Sequence, residues 1–233
     1  MNDNVASQPR AFPGSLAASL LVCFGLWTGF VWLGSQNPGW PIEPSVSLVV
    51  RLAAVWLAAG LFWWLSRRGQ VDSNDSNSGA DLFGFVHRIH IGVLLGIVVA
   101  AVYVGVAWND PFQTGFRNMP TDLMGWVRGL LIPLGDEMLF RAVVAVQIYR
   151  ISQQSDGAKG WDSWTAALIL SAFLFAAIQL PDLIWVERLE LPQLFIALLK
   201  QMGAGIVFAI LFLATKSIWA SLLPHWAYAL LPF

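Results

Sequence analysis

The run from Ser15 to Gly34 carries no charged side chain. A helix that crosses a membrane needs about 20 mainly apolar residues, and this run supplies them. Comparable runs follow at Ser45–Leu65, Ile89–Trp108, Thr121–Ile151, Ser163–Leu180 and Pro192–Thr215, with a shorter one at Ile218–Leu231. The chain is 57% hydrophobic and 12% charged, about half the charge of a soluble domain, for which ~25% is usual. The expected fold is therefore all-α: a polytopic transmembrane helix bundle of about seven to eight helices, without room for a separate soluble domain. The first run lacks the small-residue cut site and short core of a signal peptide, so it is read as an uncleaved helix.

Two prolines interrupt the pattern. Pro133 lies inside Thr121–Ile151 and removes a backbone donor, so a kink or a break is expected there. A break would make Pro133 the first residue of a new helix and put Asp136 and Glu137 in its first turn. Pro181 is expected to stop the fifth span and open an interfacial loop over Asp182–Leu191. Residues 66–82 read as a polar loop rich in Ser, Asn, Asp and Gly. Arg10, Arg67, Arg68, Arg88, Arg150, Lys159 and Lys216 fall on one side of a seven-span layout, which makes that side and the N-terminus cytoplasmic. Arg51 and Lys200 lie near span ends and are read as snorkelling. Tryptophans such as Trp27, Trp32 and Trp226 flank apolar runs, as an interfacial belt does. The single cysteine, Cys23, is read as a small packed hydrophobe.

The chemistry concentrates in Ile132-Pro133-Leu134-Gly135-Asp136-Glu137-Met138-Leu139-Phe140-Arg141. An ionisable group at the centre of a membrane helix costs at least ~2.5–3.5 kcal/mol, so such groups face a protein interior and serve a function there. Glu137 and Arg141 are four apart and share a helix face, which suits an ion pair. Asp136 points about a quarter-turn away, free to meet a water. Against that stands a plainer reading, in which all three form a buried charge cluster that locks helix packing. His225, after Pro224 in the last short run, joins these groups as a candidate. No His-Glu-x-x-His, phosphate loop, Gly-x-Ser-x-Gly or Cys/His dyad is present, so neither a metal nor a cofactor is expected. A net charge of −1 gives no argument for nucleic acid.

In their order and spacing, these residues resemble the membrane-embedded CAAX prenyl endopeptidases and their bacterial relatives, the CAAX protease and bacteriocin-processing family. The family pattern is Glu-Glu-x-x-x-Arg, then Phe-x-x-x-His, then His-x-x-x-Asn or Asp, each on its own helix. Here the three read Asp136-Glu137-Met138-Leu139-Phe140-Arg141, Phe175-Ala176-Ala177-Ile178-Gln179 and His225-Trp226-Ala227-Tyr228-Ala229. The likeness covers roughly residues 120–231. On this basis residues 1–110 are generic transmembrane helices with the polar loop, and 111–233 are the catalytic-core bundle. The resemblance implies an intramembrane endopeptidase in lipid, with a peptide or membrane-protein substrate, in the plasma (inner) membrane of a prokaryote. It implies Asp136 as base for a water, Glu137 as its partner, Arg141 as orienter, Gln179 beside the water and His225 as oxyanion donor.

Three positions depart from that pattern. Asp136 is one methylene shorter than glutamate, and a misplacement of about 1 Å can cost ~100-fold. Gln179 stands in place of a histidine and cannot take a proton near neutral pH; general acid–base help is worth ~10²–10⁴-fold. Ala229 stands in place of an oxyanion donor worth ~10²–10³-fold. Two expectations follow: a divergent but active endopeptidase, or a family member that kept the bundle and acts as a membrane binding, scaffold or immunity-type protein. A small transporter fits less well, because the first three runs hold few buried polar residues.

Overall fold

In lipid every backbone N–H and C=O must find a partner within the protein, which leaves helices as the economical answer for separate apolar runs. The computed structural model describes residues 13–36, 44–68, 89–109, 119–155 and 160–231 and, among them, holds helices and no strand. The helices are α1 (Pro13–Gln36), α2 (Pro44–Arg68), α3 (Ile89–Asn109), α4 (Leu123–Glu137), α5 (Val146–Ser155), α6 (Gly160–Ala177), α7 (Leu191–Thr215) and α8 (Ile218–Leu230). A π-helical segment, Met138–Ala145, joins α4 to α5 without a gap, so the described chain forms seven continuous rods. Four stretches are long and apolar enough to cross a membrane: Leu16–Gln36, Ile89–Val106, Asp162–Trp185 and Leu191–Thr215. The expected all-helical membrane bundle is thus present.

The prolines act differently from expectation. α4 runs straight through Pro133 to Glu137, so the two carboxylates close this helix rather than open a new one. A break inside lipid would strand several backbone groups, whereas one proline strands few. The irregularity comes later: all eight residues of Met138–Ala145 are π-helical and buried. Nor does Pro181 end the fifth rod. The chain turns at Ile178-Gln179, resumes as helix at Leu180 and Pro181, and continues as a π-helical turn, Asp182–Val186, where an interfacial loop was expected. Proline suits the start of a helical stretch, where its missing donor has no partner to lose. Residues 66–68 of the polar loop expected at 66–82 are helical, since α2 reaches Arg68; 69–82, with Arg10, Arg88 and Lys159, lie outside the described residues.

The core gathers Trp27 and Val31 of α1, Val55 and Phe62 of α2, Phe140 and Val144 of the π segment, and Phe175 of α6. Cys23 packs among them as a hydrophobe. Trp27 is 2% exposed, so it belongs to this core rather than to an interfacial belt.

α8 carries His225 and is pinned on two sides. On one side the Trp226 indole donates to the Leu130 carbonyl of α4 at 2.8 Å. On the other, the Tyr103 hydroxyl of α3 donates to the Leu231 carbonyl at 3.0 Å. α3 approaches closely because Gly92 and Gly96, four apart, face α8: a Cβ on Gly96 would sit 2.6 Å from the Trp219 carbonyl oxygen. Small residues at this spacing let helix backbones meet in membranes. Gly96→Ala is expected to lower stability by ~1–3 kcal/mol, the usual cost of overpacking. Thermal unfolding in lipid nanodiscs measures it, and an unchanged midpoint would contradict this packing. Between α7 and α8 only Lys216 and Ser217 intervene. Lys216 adopts a left-handed conformation (φ 56°), and the Thr215 hydroxyl oxygen accepts from the Ser217 amide at 3.2 Å.

Candidate active site

α4 lays down a stripe of side chains at helical spacing, Arg128, Ile132, Pro133 and Asp136, along one wall of a cavity of about 700 Å³. Ile196, Ala197 and Lys200 of α7 line it as well. Phe175 and Gln179 come from α6 and its following turn, and His225 and Tyr228 from α8. Of the residues expected from sequence, Asp136, Gln179 and His225 therefore line one cavity. Ala229 lines it too. Glu137 and Arg141 lie behind this lining, fully buried.

Glu137 is the hub. Its Oε1 lies 2.9 Å from His225 Nδ1, and its Oε2 lies 3.4 Å from Arg141 Nε. The Glu137–Arg141 pair expected from i, i+4 spacing is thus present, although at this distance the guanidinium nitrogens make no hydrogen bond. Arg141 is held as well by the face of Phe175, 5.1 Å from its Cζ. A buried carboxylate in an ion pair accepts hydrogen bonds only, so His225 Nδ1 is the donor and the proton-free nitrogen of the neutral ring is Nε2. The imidazole is clamped flat: Phe208 stacks on it at 4.7 Å and Phe175 meets it edge-on at 5.4 Å.

Asp136 has a different partner from any read in the sequence. Its Oδ2 accepts from Arg51 Nη2 at 2.9 Å, across 85 residues of chain. Arg51 also reaches Asp182 Oδ2 at 3.4 Å, and its Cζ lies 5.7 Å from the Trp27 ring. The reading of Arg51 as a snorkelling residue is therefore corrected: it is 8% exposed and faces inward, because two carboxylates outweigh the pull of the interface. The signal that would have found it is the one that found Asp136, a charge inside an apolar run. Asp136 Oδ1 is buried and makes no hydrogen bond. Among the described residues no group of His, Cys, Asp and Glu is arranged to hold a metal ion.

Asp136 and His225 thus line the cavity, and Glu137 lies fully buried behind them against His225. Residues 120–231 match the family described as Type II CAAX prenyl endopeptidase Rce1-like, and this part of the chain belongs to that family. Its general class is thereby the CAAX-type intramembrane endopeptidases. No curated protein and no solved structure matches the chain.

Proposed function

We propose that the chain hydrolyses a peptide bond within the membrane, using a water that the Glu137–His225 pair activates. The observation that carries this reading is the 2.9 Å contact between His225 Nδ1 and Glu137. It fixes the tautomer, leaves Nε2 as the basic nitrogen, and stabilises the imidazolium formed when Nε2 takes the water's proton. Asp136 Oδ1 is free to accept a second hydrogen bond from that water. The new C–O bond turns the carbonyl oxygen into an oxyanion, which the Gln179 amide and the Tyr228 hydroxyl can meet. The imidazolium then returns the proton to the departing amine as the C–N bond breaks. Asp136 in this scheme orients the water that the resemblance gave it to deprotonate, because its other oxygen is occupied by Arg51.

The same Arg51 contact motivates a second reading. Both motif carboxylates sit in ion pairs, as a non-catalytic bundle that only binds would also have them. Peptides in the membrane fraction of cells making the wild type and His225→Ala at matched levels separate the two. Peptides released only by the wild type are the expected result, and their ends give the cleavage rule. Profiles of both that match cells lacking the protein, with both proteins folded, would favour the binding protein. The proposal includes a prokaryotic plasma membrane with the N-terminus in the cytoplasm, on the strength of the basic residues that cluster between and after the spans.

A further inference from the structure

A proline inside a helix has no N–H to give to the carbonyl four residues earlier. Pro133 lies inside α4, so the Gly129 carbonyl has lost its usual helical partner. A helical C=O is directed along the axis at the N–H four residues on, so this one points towards Pro133. Gly129 and Pro133 share one face of α4, and both line the cavity. The oxygen left without its helix bond therefore lies on the cavity wall. Its neighbour, the Leu130 carbonyl, accepts from the Trp226 indole. Among the described residues no side chain donates to Gly129. A backbone group without a partner is costly inside a membrane bundle and is tolerated where it borders a cavity. A proline retained at such a place exposes an acceptor to whatever occupies the cavity.

We propose that the Gly129 carbonyl accepts a hydrogen bond from a backbone N–H of an extended peptide lying in the cavity. Asp136 follows Gly129 by seven residues on α4, about 10 Å along the axis. Extended chain covers ~3.3–3.6 Å per residue, so the N–H held at Gly129 belongs to a residue about three from the bond to be cut. The contact reads main chain and is indifferent to the side chain at that position. It rejects a residue whose nitrogen carries no hydrogen, as in proline or an N-methylated residue. It also selects unfolded segments, because a peptide in a helix gives its N–H groups to its own carbonyls. The place of the scissile bond rests on the hydrolase reading, whereas the acceptor needs only a bound peptide, so the test measures binding.

The probe is a fluorescein-labelled apolar decapeptide of non-repeating sequence, capped at both ends, with a set of versions each N-methylated at a single residue. All are titrated against the full chain in phosphatidylcholine nanodiscs. N-methylation at one or two adjacent positions is expected to weaken binding about 10-fold, the scale of a buried acceptor left without its donor. Pro133→Ala is the decisive variant, because it restores the helix N–H and occupies the Gly129 carbonyl from within. It should bind the unmethylated peptide about 10-fold more weakly and lose the sensitivity to N-methylation, while its unfolding midpoint stays level or rises. A merely structural proline would show no such opposition between binding and stability. A scan without sensitive positions, absence of binding, or the same sensitive positions in Pro133→Ala would each overturn the acceptor. A midpoint that falls in Pro133→Ala would do so too, since the restored bond should add stability. The expected scan without cleavage would support the acceptor and sink the hydrolase reading alone.

Discussion

Arg51→Met is expected to destabilise the protein by about 3–5 kcal/mol, the usual consequence of leaving a buried charge without its partner. Methionine keeps much of the arginine's length and fills the space beside Trp27. What it removes is the 2.9 Å bond to Asp136 and the longer contact to Asp182. Asp136 touches the cavity but is only 1% exposed, so solvent compensates little for a lost guanidinium. A double-mutant cycle separates charge from packing. Adding Asp136→Asn to Arg51→Met should recover part of that loss, with a coupling energy of ~0.5–3 kcal/mol, because Asp136 then no longer carries an uncompensated charge, whereas Asp182 still lacks its contact to Arg51. Unfolding midpoints in nanodiscs give all four corners of the cycle. Additive losses in the double variant would show that the pair does not hold α2 to α4.

His225→Ala should reduce peptide-bond cleavage by about 10²–10⁴-fold, the range that a positioned acid–base group supplies. The unfolding midpoint must be measured alongside, since Glu137 loses a partner in the same variant. Gln179→His is the complementary change. It adds a second imidazole to the same cavity and should raise the rate if proton transfer limits the wild type. A wild type and a His225→Ala variant that cleave equally, with both folded, would remove His225 from the chemistry.

Much of this architecture was legible in the sequence, and the failures have a common physical origin. Helix existence follows from apolar length alone, so α1, α3 and α7 lie within a few residues of where the runs predict them. Prolines were misjudged because their local cost was read without the larger cost of breaking a helix in lipid: Pro133 sits inside α4 and Pro181 inside a resumed helical turn. Spacing revealed the Glu137–Arg141 pair, since i, i+4 neighbours meet on any helix. No local rule could reveal Arg51 with Asp136, because their meeting depends on how α2 packs against α4. Likewise the π-helical Met138–Ala145 has no pattern of its own in the sequence.

The bond between Arg51 and Asp136 also sets a schedule for biogenesis. Translation proceeds at ~5–20 residues per second, so Asp136 is made roughly 4–17 s after Arg51, and Asp182 later still. α2 therefore enters the bilayer with its arginine unmatched, a burden of at least ~2.5–3.5 kcal/mol if the charge were held at the helix centre. Arg51 lies seven residues into α2, near enough to its end for the long side chain to reach headgroups in the interim. Assembly of the later helices then draws the guanidinium inward. An unassembled α2 is thus marked by a displaced charge, and a membrane quality-control protease that reads intramembrane charge would have a means to tell orphaned chains from finished ones.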